Sequence, residues 1–375
     1  MTANRVALAA LAFTLVLCSP MPAAPPQVGG RAYYVENATT GDVVLAKNAR
    51  LRVPIASITK LMTAVVALEH VRLDDVVTVT GAAAARGESS IFLRAGERLT
   101  VRELVQAALI QSANDAAAAL ADHVGSGDRE AFVAMMNAKA RVLGLRDTRF
   151  ANPDGLDQPG HYSSARDVSV LARAAMQNPA IREIVRTTET TITGPRLLRT
   201  WNDLLYTFPG LVGVKTGHTR GAGWSQVAAA RGPGFVVYAT LLGEPTRARR
   251  NGDLTRLLAW GISRFRQLPI VKAGRTYASP TLPYGKGRLR LVAARDQLRV
   301  VRLGKALTEE VVAPTKIGLP IAKGQRMGQV RVYREGRLIA SSPLVASRAV
   351  TAPGLFGRVG WYAGETVENV WDWVS

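Results

Sequence analysis

Residues 54–70, PIASITKLMTAVVALEH, restrict the fold more than any other segment. From Ile58 onward the stretch is apolar on nearly every side of a helical projection, so other elements must enclose it. Enclosure takes Lys60 inside with it. The first turn of a helix carries partial positive charge and disfavours a cation by roughly a few tenths of a kcal/mol. A serine cap normally has Glu or Gln three residues on, whereas Ser57 is followed there by Lys60. Positions i and i+3 share a helix face, which lets Ser57 Oγ and Lys60 Nζ meet. Lysine acts as a base only when neutral, and burial, a helix N-terminus and a second cation all lower its pKa.

The rest of the chain must supply the enclosure. At 375 residues it is long enough for about two or three domains, and 47% apolar against 20% charged residues supports a sizeable core. Its 48 Lys+Arg against 28 Asp+Glu give a net charge of +20, which favours an anionic partner without choosing one. The N-terminus narrows the choice. Arg5, the apolar run of residues 6–18 and the following SPMPAAPP read as an export signal within residues 1–26, and the run is too short to span a membrane. The prolines leave no clean cleavage site, and Leu17 before Cys18 argues against lipid attachment. Export makes nucleic acid an unsuitable partner. It also leaves a processed chain with no cysteine, since Cys18 is the single one.

Between residues 27 and 267 strands and helices alternate. RAYYVENATTGDVVLAKNA reads as two strands around Thr40–Gly41, and TVRELVQAALIQSANDAAAALADHV as a helix interrupted near Ser112. SARDVSVLARAAMQNP is a helix capped by Ser164, and LVGVKTGHT, GWSQVAAAR and FVVYATLLG are successive strands. Residues 268–350 switch to short alternating segments separated by Gly and Pro, a small all-β module. In residues 351–375, Phe356, Val359, Ala363, Val367, Val370, Trp371 and Val374 recur at helical spacing. The aromatic content of this tail reads as an amphipathic helix in a membrane interface. Its acidic polar face leaves packing on the protein's own surface as the competing reading.

A lone Ser-x-x-Lys carries little weight. Two further elements change that: SAN at Ser112–Asn114 after an apolar stretch, and KTG at Lys215–Gly217 after the strand-like LVGV. Each pattern occurs once, in this order, where the coarse structure can project it into one cleft. The trio is that of the β-lactamases and penicillin-binding proteins. Taken separately, Ser57 could be a cap, Ser112 a buried hydroxyl and Lys215 a solvated strand charge. Jointly those readings are much harder to sustain. Histidines 70, 123, 161 and 218 show no metal-binding spacing of the HExxH kind.

With NPDGLDQPGHYSSARDVSVLA, VKTGHTRGAGW and the later LPIAKGQRMGQV and PLVA, the chain resembles the D-alanyl-D-alanine carboxypeptidases, the low-molecular-mass penicillin-binding proteins. The resemblance implies an α/β penicillin-binding/β-lactamase-like transpeptidase domain, with a sheet flanked by helices, then a small all-β domain and a C-terminal amphipathic membrane anchor. It implies no metal and no cofactor. The implied substrates are peptidoglycan stem peptides ending in D-Ala-D-Ala, with β-lactams as acylating inhibitors, at the periplasm or outer face of the cytoplasmic membrane. By the same resemblance Ser57 is the nucleophile, Lys60 its base and Ser112 the proton relay. Asn114, Lys215, Thr216, Gly217, His218 and Arg250 would bind substrate, with Arg247 and Arg249 close enough in sequence to compete for the carboxylate. One departure stands out: the family often has His before Gly-Leu where this chain has Asp154.

Three other functions account for part of the sequence. A serine β-lactamase would share the trio, but residues 112–215 offer no Glu-x-x-x-Asn pattern and the β module would be superfluous. A wall transpeptidase or endopeptidase would differ only in the acyl acceptor. A basic wall- or membrane-binding scaffold would account for the charge and not for the trio.

Overall fold

The computed structural model describes residues 8–15, as backbone, and 24–354. The chain forms two compact units, Ala23–Arg264 and one built mainly from Phe265 onward. In the first unit, five antiparallel strands run in the order Asp42–Lys47, Ala32–Asn37, Phe235–Glu244, Gly223–Gly232, Leu211–Thr219. Successive strand residues face opposite sides. Val35 and Val237 therefore meet the helix Arg247–Ser263 at Gly261, where a Cβ would come within 3.0 Å of both valines. On the other side Glu36 reaches the helix Ala165–Ala175, accepting from Ser169 Oγ at 2.7 Å and Arg173 Nη1 at 3.0 Å. The expected arrangement of a sheet flanked by helices is what the chain builds.

The Lys60–His70 helix packs against Asn114–Val124, Arg129–Val142 and Ala165–Ala175. Every residue from Lys60 to Ala67 is buried, as the all-round apolar pattern requires. Small side chains allow that closeness: Ala116, Ala117, Ala118 and Ala119 of the Asn114–Val124 helix are all fully buried. Caps fix the helix starts. Thr100 and Glu103 make a reciprocal capping box, and Ser164 Oγ accepts from Asp167 N–H at 3.2 Å, contacts worth about 1 kcal/mol each. The interruption expected near Ser112 is a π-helical turn over Ala107–Gln111, ending on Ser112 in the left-handed region at φ 66°.

The second unit is all β among its described residues. Its main sheet runs Leu8–Leu15, Leu307–Pro314, Arg326–Arg334, Arg337–Ala346, Leu291–Ala293, Thr276–Ala278, and Phe265–Val271 pairs separately with Gln297–Arg302. The hairpin between Arg334 and Arg337 turns through Glu335 (φ 49°) and Gly336 (φ 78°), the two positive values a tight hairpin turn needs. Val330, Val332 and Leu344 anchor its core. The strand Leu8–Leu15 falls inside the segment read as an export signal and here pairs with Leu307–Pro314. An apolar run can extend a sheet because an edge strand presents unpaired backbone groups. Of the C-terminal helix expected over residues 351–375, residues 351–354 are not helical and residues 355–375 lie outside the described residues. Among the described residues no helix is long and apolar enough to cross a membrane.

Candidate active site

Ser57 lies in a 3₁₀ turn, Ala56–Thr59, and the helix Lys60–His70 begins after it. Ser57 is therefore no helix cap, since neither the turn nor the helix has a side-chain cap. Its Oγ accepts instead from Lys60 Nζ at 2.8 Å. The turn is tightly held. Ala56 sits at φ 49°, a conformation an alanine adopts at a cost of about 1 kcal/mol or more. Two glycines press on it: a Cβ at Gly155 would lie 2.0 Å from Ala56 O, and one at Gly217 would lie 2.7 Å from Ile55 O.

Lys60 is fully buried and donates also to Asn114 Oδ1 at 2.6 Å and to the backbone oxygen of Asp154 at 2.7 Å. Burial lowers its pKa to about 7, with the negative charges of Asp154 and Asp115 opposing and Arg86 assisting. The Asp154 carboxylate is buried as well and is ion-paired with Arg86, whose Nε donates to Oδ2 at 2.7 Å. The residue that departs from the family pattern thus holds Lys60 through its main chain, while its side chain is held by arginine. Behind the turn, Ala151 N–H donates to His161 Nδ1 at 3.1 Å, which leaves Nε2 to donate to Thr59 Oγ1 at 2.8 Å. Burial lowers the His161 pKa to about 4, so the ring is neutral at pH 7.

The strand Leu211–Thr219 brings up the other lysine. Lys215 Nζ donates to Ser112 Oγ at 2.9 Å and to Thr216 O at 3.0 Å. Burial, then the charges of Lys60 and Arg250, push its pKa well below the ordinary lysine value. Asn114 has both ends of its amide engaged, with Nδ2 donating to Gly87 O at 2.9 Å while Oδ1 accepts from Lys60. Asn114 thus ties Lys60 to the Gly87 loop.

Ser57, Ser112, Thr216, Gly217, His218 and Arg250 all line one cavity of about 230 Å³. Of the three neighbouring arginines, Arg250 is the one in its wall. Arg249 lines a separate hollow beside Asp253, and Arg247 pairs with Asp203 through Nε at 2.7 Å. Arg250 is 1% exposed, gives Nε and Nη2 to Asn251 Oδ1 at 3.1 and 2.6 Å, and lies over Trp224 at 5.7 Å. Burial lowers its pKa to about 10, so it stays charged. His218 is exposed at the mouth and stacks on Trp224 at 4.1 Å between centroids. Glu88, Ser89, Trp201 and Trp224 also line the cavity, and sequence reasoning gave them no role. Hairpin register could have found Trp224, which pairs across the strands with His218. The other three sit on loops with no periodicity to mark them.

A serine beside a neutralisable buried lysine, with a second Ser–Lys pair and a buried arginine in the same cavity, is the arrangement that serine acyl transfer requires. The family comparison agrees: residues 19–246 match the family model for D-alanyl-D-alanine carboxypeptidase, and residues 265–352 that for the penicillin-binding protein 5 C-terminal domain. The chain belongs to the D-alanyl-D-alanine carboxypeptidase family, serine-type hydrolases of the penicillin-binding protein 5 kind. It is 32% identical to D-alanyl-D-alanine carboxypeptidase DacF of Bacillus subtilis, over 84% of each chain. It is 34% identical to DacC of Escherichia coli, over 89% of this chain and 87% of that one. Penicillin-binding protein 5 of Haemophilus influenzae superposes with a TM-score of 0.65 at 29% identity, over 88% of this chain and 99% of that structure. The Streptomyces K15 DD-transpeptidase matches 64% of this chain and 99% of its own, with a TM-score of 0.61 at 31% identity.

Proposed function

We propose that the enzyme removes the terminal D-alanine from peptidoglycan pentapeptides through an acyl-enzyme on Ser57, with Lys60 as the general base. The contacts of Lys60 carry this reading. Two of its three partners, the Asn114 amide oxygen and the Asp154 carbonyl, can only accept. Neutral Lys60 has two N–H bonds and one lone pair. Those two acceptors take the N–H bonds, so the lone pair faces Ser57, the one partner with a proton to give. A pKa of about 7 makes that neutral form abundant at physiological pH.

Ser57 Oγ then attacks the carbonyl of the penultimate D-alanine as its proton passes to Lys60. The backbone N–H groups of Ser57 and His218 receive the oxyanion, each worth about 3 kcal/mol in acyl-transfer sites. As the tetrahedral intermediate collapses, Ser112 hands a proton to the leaving D-alanine nitrogen. Lys215, 2.9 Å from Ser112 Oγ, keeps that hydroxyl polarised and the cavity electropositive. Thr216 and Arg250 hold the terminal carboxylate, and the substrate peptide lies along Asn114 and the strand that carries Gly217. Water hydrolyses the acyl-enzyme. A β-lactam follows the same path as far as acylation, but its leaving nitrogen stays tethered in the opened ring and blocks the approach of water.

The reading extends to an exported protein whose first 26 residues are a signal, working at the outer face of the cytoplasmic membrane with residues 351–375 as its anchor. The test measures D-alanine release from a pentapeptide ending in D-Ala-D-Ala, alongside labelling by a fluorescent penicillin. Ser57→Ala is expected to lose the label and at least about 10⁴ of the release rate. A label that persists without Ser57 would sink the assignment. Release exceeded by transfer to an amine acceptor would favour the transpeptidase reading, to which the likeness with the Streptomyces enzyme points.

A further inference from the structure

Among the described residues, Glu88 is the one acidic side chain in the wall of the active-site cavity, in a chain of net charge +20. Its presentation is unusual. The residue has φ 63°, the left-handed region that a non-glycine residue enters at a cost. Asn114 holds it from both sides: Nδ2 donates to Gly87 O at 2.9 Å, and the Asn114 backbone N–H donates to Ser89 O at 2.6 Å. Ser89 Oγ adds a third tie, donating to Gln111 O at 3.2 Å. The loop is fastened to the same residue that holds Lys60. The Glu88 side chain, by contrast, is exposed, and among the described residues no hydrogen bond or ion pair engages its carboxylate. A strained, clamped backbone that displays an unpaired charge into a substrate cavity fits a ligand contact better than a solvated surface position.

The charges place it along the cleft. Glu88 sits on the loop that Asn114 ties to Lys60, whereas Arg250 lies over Trp224. The cavity wall therefore carries a cation at Arg250 and an anion at Glu88. A peptide bound with its carboxylate on Arg250 and its scissile carbonyl at Ser57 sends the residue before the D-Ala-D-Ala end past Ser57, toward the anionic pole. We propose that Glu88 is a specificity-determining residue, receiving the side-chain ammonium of the substrate residue that precedes D-Ala-D-Ala. The inference rests on the carboxypeptidase reading and narrows its substrate class to peptides with a free cationic side chain at that position.

The test compares two peptides on the purified full chain: Nα-acetyl-Lys-D-Ala-D-Ala, with its ε-ammonium free, and the Nα,Nε-diacetyl form. The readout is the ratio of their kcat/KM values for D-alanine release. An exposed ion pair supports a preference of about five-fold for the ammonium form, shrinking as salt rises. In Glu88→Gln the ratio is expected to fall to near one, and in Glu88→Lys to below one. Fluorescent penicillin labelling checks that each variant keeps an assembled site. Glu88→Asn, which suits the left-handed backbone, replaces Glu88→Gln if the latter does not label. A wild-type ratio of one, or a wild-type ratio kept in the neutral variants, overturns the proposal. So does a Glu88→Gln enzyme that accumulates acyl-enzyme equally on both peptides, since that outcome assigns Glu88 to water activation. Absence of D-alanine release from either peptide by the wild type would instead count against the carboxypeptidase reading.

Discussion

In the Ala23–Arg264 unit, Lys60, Lys215, Arg250 and Asp154 are all buried; among the described residues from Phe265 onward, the buried polar side chains are Glu309 and Ser342. Apart from Glu309, the described residues of the β unit obey the ordinary rule that charge stays at the surface. The catalytic unit breaks it where the cavity is built, and there the buried charges have named partners. Lys60 has three acceptors, Asp154 has Arg86, and Arg250 has Asn251 and Asp203. A large apolar core lets the catalytic unit carry this cost, and the chemistry explains why the cost is kept. Nothing comparable is asked of the β unit, whose stability rests on apolar packing.

That contrast can be broken most forcefully in the β unit. Leu344→Ala, in its core, is expected to cost about 3 kcal/mol by cavity formation. Thermal unfolding should show the loss while penicillin labelling of Ser57 persists. Labelling that fell in step would mean the two units do not stand apart. In the catalytic unit, Arg86→Gln strands the buried Asp154 carboxylate. Because the Arg86 side chain is 28% exposed, the full buried-pair penalty is discounted to about 2 kcal/mol. A D-alanine release rate that falls with stability unchanged would show that the pair serves the base more than the fold.

The pH profile sharpens the comparison further. With Lys60 titrating at about 7, acylation should rise roughly ten-fold between pH 6 and pH 8 and then level off. A rise continuing to pH 10 would leave Lys60 unsupported as base. The sign for stability follows from the same shift. The unfolded chain keeps this proton up to 10.5 and the folded chain only to about 7, so the Lys60 contribution grows with pH across that window. The smallest effect belongs to the β unit again: Arg275→Gln removes a partner 3.7 Å from Glu309 and should change stability by less than about 1 kcal/mol.

The motif residues were legible because their meaning is local. Ser57 and Lys60 are one turn apart, and KTG sits on a strand whose alternation is visible. The flanked sheet and the β module were legible for the same reason, through periodicity. What could not be read was contact across long separations. The partners of Lys60 at Asn114 and Asp154 are 54 and 94 residues away, and Arg86 and Asp154 are 68 apart. The left-handed Ser112 and Glu88 were hidden because neither is glycine, the residue that normally announces such a backbone.

The two glycines against the Ala56–Thr59 turn bear on how this enzyme could escape inhibition. A methyl group at Gly155 or Gly217 would collide with backbone atoms of Ala56 or Ile55, which cannot step aside as a flexible side chain can. Substitutions that narrow the space next to Ser57 would therefore disable the enzyme before they excluded a drug. Freedom to vary lies farther out, on the exposed side chains of Glu88 and Trp201, where a change can alter which molecules enter without moving the serine.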